Sequence, residues 1–228
     1  MQLFYQPEIS NGLHFLTQEE SRHAVKVIRH LPGDIINITD GLGSFYQATI
    51  TEANQKKCSF NITEETKINP SPIYRHIAIA PTKNMDRFEW FVEKATEFGI
   101  DRITPILCHN SERRIIKVDR IRKKALSAMK QSIKAFNPVI DELLPFQDCL
   151  KIDADFKFIA HVDNSNPILL KDQIQKSGSH LIFIGPEGDF SEKEIALAMT
   201  GGFAKVSLGE SRLRTETAGI ATAHLLNL

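Results

Sequence analysis

The sequence predicts an α/β protein in which a parallel sheet carries helices on both faces and a small β-barrel domain precedes it. Three observations predict this. After residue 72, short apolar runs alternate with segments of helical period, as when strands of one sheet are joined through helices. Before residue 70 the apolar period is two, in strands parted by Gly and Asp turns. Between them stands Asn69-Pro70-Ser71-Pro72, whose prolines interrupt both helix and ladder, so the domains are set at 1–70 and 73–228.

In chain order, Leu13-His14-Phe15-Leu16 reads as a short strand. Thr17-Gln18-Glu19-Glu20 has the spacing of a capping box and opens a helix carrying His23, Val27 and Ile28 towards Leu31-Pro32-Gly33. Strands follow over Asp34 to Thr39, Phe45 to Thr51 and Cys58 to Glu64, with Asp40-Gly41-Leu42-Gly43 turning between the first two. Ile36 and Ile38, then Tyr46, Ala48 and Ile50, alternate with polar neighbours as half-buried strands do. In the second domain Ile77 to Ala80 is a strand and Met85 to Phe98 a helix stopped by Gly99. Ile103 to Cys108 and Lys157 to Val162 are strands, Asp119 to Phe136 is a helix, and a short helix lies near Leu169 to Gln175.

Two strand-to-helix turns close the chain. His180 to Ile184 leads into Gly185-Pro186-Glu187-Gly188-Asp189-Phe190, and Ala204 to Leu208 leads into Gly209-Glu210-Ser211-Arg212-Leu213-Arg214. A buried strand ending in Gly or Pro delivers backbone N–H and C=O groups beyond the carboxyl edge of a parallel sheet. Ser191-Glu192-Lys193-Glu194 is a capping box whose helix ends at Gly201-Gly202, and Thr215 or Thr217 caps the last helix. Two Gly-rich loops make a mostly main-chain site, suited to a small cofactor. They do not make a phosphate cradle, because Gly-x-Gly-x-x-Gly and Gly-Lys-Ser/Thr are absent.

The 228 residues include 28 Lys and Arg against 28 Asp and Glu, so any nucleic-acid surface must be local. Cys58, Cys108 and Cys149 are an odd number without Cys-x-x-Cys spacing. That argues for a reducing cytoplasm and against a disulfide framework or zinc site. No stretch approaches the ~18 apolar residues of a membrane span, and a soluble cytoplasmic protein without metal is expected. Gly-x-Ser-x-Gly is missing, which weakens a serine hydrolase.

The stretch from Arg113 to Lys134 is the most basic in the chain. It supports two readings, a solvated helix face or a face for phosphates. Lys83 and Asp86-Arg87 read either as helix-start charges or as ligand-facing groups, and His161 either as part of a cofactor loop or as core. Glu187, Arg212, Arg214 and Glu216 crowd the two terminal loops, and buried charges are costly unless paired or used. These four point to a site.

Those two loops, Gly185-Pro186-Glu187-Gly188-Asp189-Phe190-Ser191 and Leu208 to Ala218, resemble the signature loops of the RsmE family. Its members are ribosomal small-subunit RNA uridine-N3 methyltransferases of the SPOUT superfamily. Lys83 with Asp86-Arg87-Phe88-Glu89, Lys94-Ala95-Thr96-Glu97-Phe98-Gly99-Ile100, and His23 to Arg29 with Gly33-Asp34 extend the resemblance over nearly the whole chain. Three positions depart from the family pattern. Asp189 stands where Gly is usual, Lys130-Gln131 and Lys134 replace Glu-Gln and a following Arg, and Gln2-Leu3-Phe4 lacks an early Arg.

The resemblance implies a PUA-like RNA-binding barrel, a trefoil knot over about 181–228, S-adenosylmethionine as cofactor and a homodimer. It implies 16S rRNA or the assembled small subunit as partner. Cofactor binding falls to His161, Gly185, Pro186, Glu187, Gly188, Leu208, Gly209, Leu213 and Thr217. Arg29, Arg214 and Glu216 are the catalytic candidates. Arg22, Arg29, Lys83, Arg87, Arg113, Arg114, Arg122, Lys134 and Arg212 are the candidates for RNA. The rival readings are a related methyltransferase acting on ribose or another base, and a non-catalytic RNA-binding protein.

Overall fold

A computed structural model describes residues 2–161 and 168–228. The chain divides into two compact units, Met1–Pro70 with Met129–Asn137, and Ser71–Ala128 with Pro138–Leu228.

The first unit is a four-stranded sheet in the order β1-β2-β3-β4, formed by Leu3–Tyr5, Ile35–Thr39, Ser44–Glu52 and Ser59–Lys67. β1 runs parallel to β2 and the other pairs are antiparallel. The predicted strand at Leu13 to Leu16 is a short pairing of Phe15 with Ser59 on the free edge of β4. From the opposite edge the Gln6 side-chain amide donates to the Phe15 carbonyl, so a side chain draws the two edges together. Ile36, Ile38, Tyr46, Ala48 and Ile50 all point into one core with Phe4, Leu16 and Phe60, as their period of two requires. Asp40 secures the turn between β2 and β3, its Oδ1 accepting from Leu42 N at 2.8 Å and Ser44 N at 3.0 Å.

Helix α1 (Gln18–Arg22) starts on Thr17, whose hydroxyl accepts from Glu20 N. The capping box is only half made, because the Glu20 carboxylate pairs with Lys130 instead. From His23 to Ile28 the helix continues with π-helical bonding and ends at Arg29, whose φ of 69° is left-handed. A non-glycine residue there is uncommon.

The second unit is a seven-stranded sheet, every pair parallel: Ile73–Ile79 (β5), Arg102–Leu107 (β6), Val139–Ile140 (β7), Leu144–Pro145 (β8), Phe156–Ala160 (β9), Gly178–Ile184 (β10) and Ala204–Val206 (β11). Its order is β11-β9-β10-β5-β6-β7, with β8 also on β6. Alternate residues feed two cores. Ile77, Ile79, Ile182 and Ile184 meet helices α2 (Met85–Phe98), α3 (Val118–Gln131) and α6 (Thr215–Leu225). Ala78, Ala80, Leu181 and Phe183 meet α4 (Phe146–Cys149) and α5 (Glu192–Thr200) on the other face. Both faces are thus covered, which is why these strands read as unbroken apolar runs.

Local signals set the helix ends where they are strong. Asn84 caps α2 through Asp86 N, Gly99 ends it at a φ of 97°, and Ser191 with Glu194 forms the complete capping box of α5. Helix α3 stops at Gln131 rather than Phe136, because Ile133 turns left-handed at a φ of 53°. Gly43 N then donates to Ala135 O and Asn137 N to Gly41 O, joining that segment to the first unit's turn. The predicted strand at Lys157 to Val162 is β9, and Val162 lies outside the described residues. The predicted short helix is a single 3-10 turn, Leu170–Asp172.

Candidate active site

The carboxyl ends of β11, β9 and β10 lie side by side, and their loops border an open cleft. The two Gly-rich loops do not leave neighbouring strands, since β9 stands between them and adds Ala160 and His161 to the wall. All the cofactor-binding candidates except Gly188 and Thr217 line this cleft. Gly188 faces away against Asn110, whose side-chain amide donates to its carbonyl at 3.0 Å, and Thr217 is exposed on α6.

Two glycines of the wall stand where a side chain would be strained. A Cβ added to Gly185 would lie 3.0 Å from the buried Phe190 ring, and Gly209 holds a φ of 131° that a side chain rarely allows. Thr215 and Thr217 are not helix caps. Arg214 occupies the N-cap position without a side-chain bond, while the buried Thr215 hydroxyl donates to Gly185 O at 3.0 Å and ties one loop to the other.

The loop after β10 is also tied to the loop after β5. Glu187 accepts from Lys83 N at 2.9 Å, and Arg113 Nε donates to Thr82 O and Lys83 O, each at 3.1 Å. The Lys83 ammonium meets Glu112 at 2.8 Å, and that hydrogen bond raises its pKa. Glu187 and Arg113 therefore brace loops, roles their spacing in the sequence does not reveal.

His161 and Asp189 face each other across the cleft wall, with Nδ1 2.9 Å from Oδ2. Asp189 has a left-handed φ of 60°, and its Oδ1 accepts from Phe190 N at 2.7 Å.

Of the charged candidates, Arg212 lines the cleft while Arg214 is exposed at the start of α6 outside its wall. Glu216 is buried on α6 and 3.8 Å from Arg87 Nε, so it orients that arginine rather than facing the cleft. Arg22, Arg29 and Arg114 are exposed, with no ion-pair partner among the described residues, and Lys134 is half-buried. Arg122 is engaged by Asp119, Glu142 and the Ile140 carbonyl. Arg120 and Lys124 likewise reach across to Glu89 and Glu93 on α2. The basic α3 face is therefore largely an ion-pair lattice. Among the described residues no cluster of His, Cys, Asp and Glu is arranged to hold a metal ion.

A parallel sheet whose strand ends open onto a cleft defines the class of α/β proteins that bind a small ligand beyond the carboxyl edge of the sheet. The model of an RNA methyltransferase domain matches residues 69–227, and that of an RNA methyltransferase PUA domain matches residues 16–63. The chain belongs to the RNA methyltransferase family, within the ribosomal RNA small subunit methyltransferase E group.

Three relatives anchor this. The structure of a "probable rRNA-methyltransferase" from Porphyromonas gingivalis is 42% identical, with a TM-score of 0.91 over 100% of this chain and 98% of that one. Ribosomal RNA small subunit methyltransferase E from Neisseria gonorrhoeae, solved bound to S-adenosyl methionine, is 29% identical, with a TM-score of 0.85 over 98% and 95%. The protein of that name from Rickettsia conorii is 27% identical over 90% of this chain and 85% of its own.

Proposed function

We propose that this protein is an S-adenosylmethionine-dependent methyltransferase that methylates N3 of a uridine in 16S ribosomal RNA. The cleft at the ends of β9, β10 and β11 carries the proposal. It lies beyond the carboxyl edge of the parallel sheet, and it gathers Gly185, Leu208 and Leu213 together with the polar side chains of His161, Ser207 and Arg212. S-adenosylmethionine, when bound, supplies an electrophilic methyl group. The chain's own work is to hold the adenosyl group through the main chain near Gly185, Leu208 and Leu213, and to hold the uracil in line.

Uracil N3 carries a proton that must leave. A guanidinium beside the base favours the anionic form, and Arg29 and Arg214 are assigned that part. Arg212, on the cleft wall, and exposed Arg22 and Arg114 are assigned to RNA phosphates, as is Arg87 held by Glu216. N3 takes part in base pairing, so the target is unpaired or flipped out.

The protein acts in the cytoplasm, where ribosomes are assembled, and among the described residues no helix is long and apolar enough to cross a membrane. It works as a homodimer. The resemblance of the two terminal loops to those of the RsmE family supports this.

Calorimetric titration with S-adenosylmethionine tests the cleft. Gly185→Val should lose binding by more than about a hundredfold, since its branched side chain enters space held by Phe190. Unchanged affinity in a folded variant would remove this loop from the site.

A further inference from the structure

Asp189 stands at a position whose backbone favours glycine. Its φ of 60° is left-handed, a conformation that glycine adopts freely and other residues hold only when their surroundings fix it. The backbone is fixed on both sides: Asp189 N donates to Pro186 O at 2.9 Å, and the Asn110 amide donates to Asp189 O at 3.0 Å. Those bonds are made by main-chain atoms, so a glycine would keep them both. What the carboxylate adds is two contacts of its own, Oδ1 to Phe190 N at 2.7 Å and Oδ2 to His161 Nδ1 at 2.9 Å.

A carboxylate only accepts, so the shared proton sits on His161 Nδ1, and in the neutral ring Nε2 is left as an acceptor. Main-chain bonding from His161 N to Val206 O at 3.1 Å steadies the same residue from the β11 side. The imidazole lines the cleft with Asp189. The donors an adenosyl cofactor offers are its ribose hydroxyls and its exocyclic amine, and each needs an acceptor.

We propose that Asp189 is a positioning residue of the cofactor cleft: it fixes His161 in the Nδ1–H tautomer, and His161 Nε2 then accepts a hydrogen bond from a hydroxyl or amine of bound S-adenosylmethionine. This rests on the cleft being the S-adenosylmethionine site. The alternative is that the pair merely latches one loop to the next, with no effect on the cofactor.

Asp189→Asn separates the two. The amide oxygen can keep the bond from Phe190 N, while the amide nitrogen donates to His161 Nδ1 and so reverses the tautomer. Nε2 then becomes a donor facing donors, an arrangement that leaves buried polar groups unpaired. The experiment uses the full chain at pH 8, above the ordinary imidazole range of about 6.5. Nitrogen-15 spectra of the histidine rings report the tautomer, and calorimetry with S-adenosylmethionine reports affinity.

The expected result is an Nδ1–H signal for His161 in the parent protein and an Nε2–H signal in Asp189→Asn, with cofactor affinity reduced roughly tenfold. In a His161→Ala background the same Asp189 change should cost nothing further. Asp189→Gly, which suits the left-handed backbone and removes the carboxylate altogether, should match the affinity loss and serves if the Asn variant does not fold.

An unchanged affinity in both Asp189 variants, an unchanged tautomer in Asp189→Asn, or a loss that persists without His161 would overturn this inference alone. Failure of the parent protein to bind S-adenosylmethionine would overturn the cofactor assignment, and this inference with it.

Discussion

Arg212 and Arg214 are two residues apart, yet only Arg212 lines the cleft. Arg214 is exposed on the solvent side at the head of α6, and its carbonyl accepts the first helical bond from Ala218 N at 2.8 Å. A guanidinium so placed can meet a base brought to the cleft while contributing little to the cofactor. Arg214→Ala should therefore lower single-turnover methylation of small-subunit RNA about a hundredfold, the usual cost of one preorganised donor. Its calorimetric affinity for S-adenosylmethionine should be little changed, and equal losses in both would move Arg214 into the binding set. At this scale the sequence is legible for groups whose role is carried by the backbone. Gly185 and Gly209 are recognisable because turns select glycine, whereas the tie from Thr215 to the Gly185 carbonyl spans 30 positions and leaves no local mark. Asp189 and His161 are each legible as candidates, but their pairing is not, because only the sheet brings them together.

Helix α6 packs on α2 and β5 at its only internal glycine. A Cβ on Gly219 would lie 2.6 Å from two carbons of the Phe91 ring and 2.8 Å from Ile79 Cδ1. Both neighbours are fully buried, so neither can swing aside into solvent. Alanine gains about 1 kcal/mol of helix propensity, but overpacking costs about 1–3 kcal/mol, and such close approaches lie at the high end. Gly219→Ala should lower stability in urea by about 1–2 kcal/mol. A gain in stability would mean that the two helices can move apart freely. Elements with caps at both ends, such as α2 and α5, are legible to the residue because the signals are local. Helix α3 is overcalled by the apolar rhythm, which runs on through Ile133 and Phe136. The chain breaks it to hand Met129–Asn137 to the other unit, a tertiary demand that periodicity cannot register. The π-helical bonding over His23–Ile28 is hidden for the same reason.

Across the whole sheet unit, acid sensitivity is built into a buried chain of hydrogen bonds. His76 Nε2 lies 2.7 Å from Thr104 Oγ1, the Thr104 hydroxyl donates to Asp141, and Arg102 grips that carboxylate with two bonds of 2.8 Å. Because Thr104 gives its proton to Asp141, it accepts one from His76 Nε2, which therefore carries a proton. Burial first, and the Arg102 charge second, push the His76 pKa down to about 4 from 6.5. The unfolded chain thus takes up a proton below pH 6.5 that the folded one refuses until about pH 4, and stability is lost as pH falls through that window. The full effect is about 3 kcal/mol. Comparing urea stability at pH 7.5 and pH 4.5 should show a steeper loss for the parent protein than for His76→Gln, and parallel slopes would contradict it. The two-part α/β architecture and the pairing of glycine loops are legible from the sequence. The insertion of β9 between those loops is not, because strand order follows from packing rather than chain order. The central claim is methyl transfer to one ribosomal base, and nucleoside mass spectrometry tests it most directly. Purified protein, unmodified small subunits and methyl-labelled S-adenosylmethionine should yield labelled N3-methyluridine in 16S rRNA and no other labelled nucleoside; label in a ribose or another base, or none at all, would contradict it.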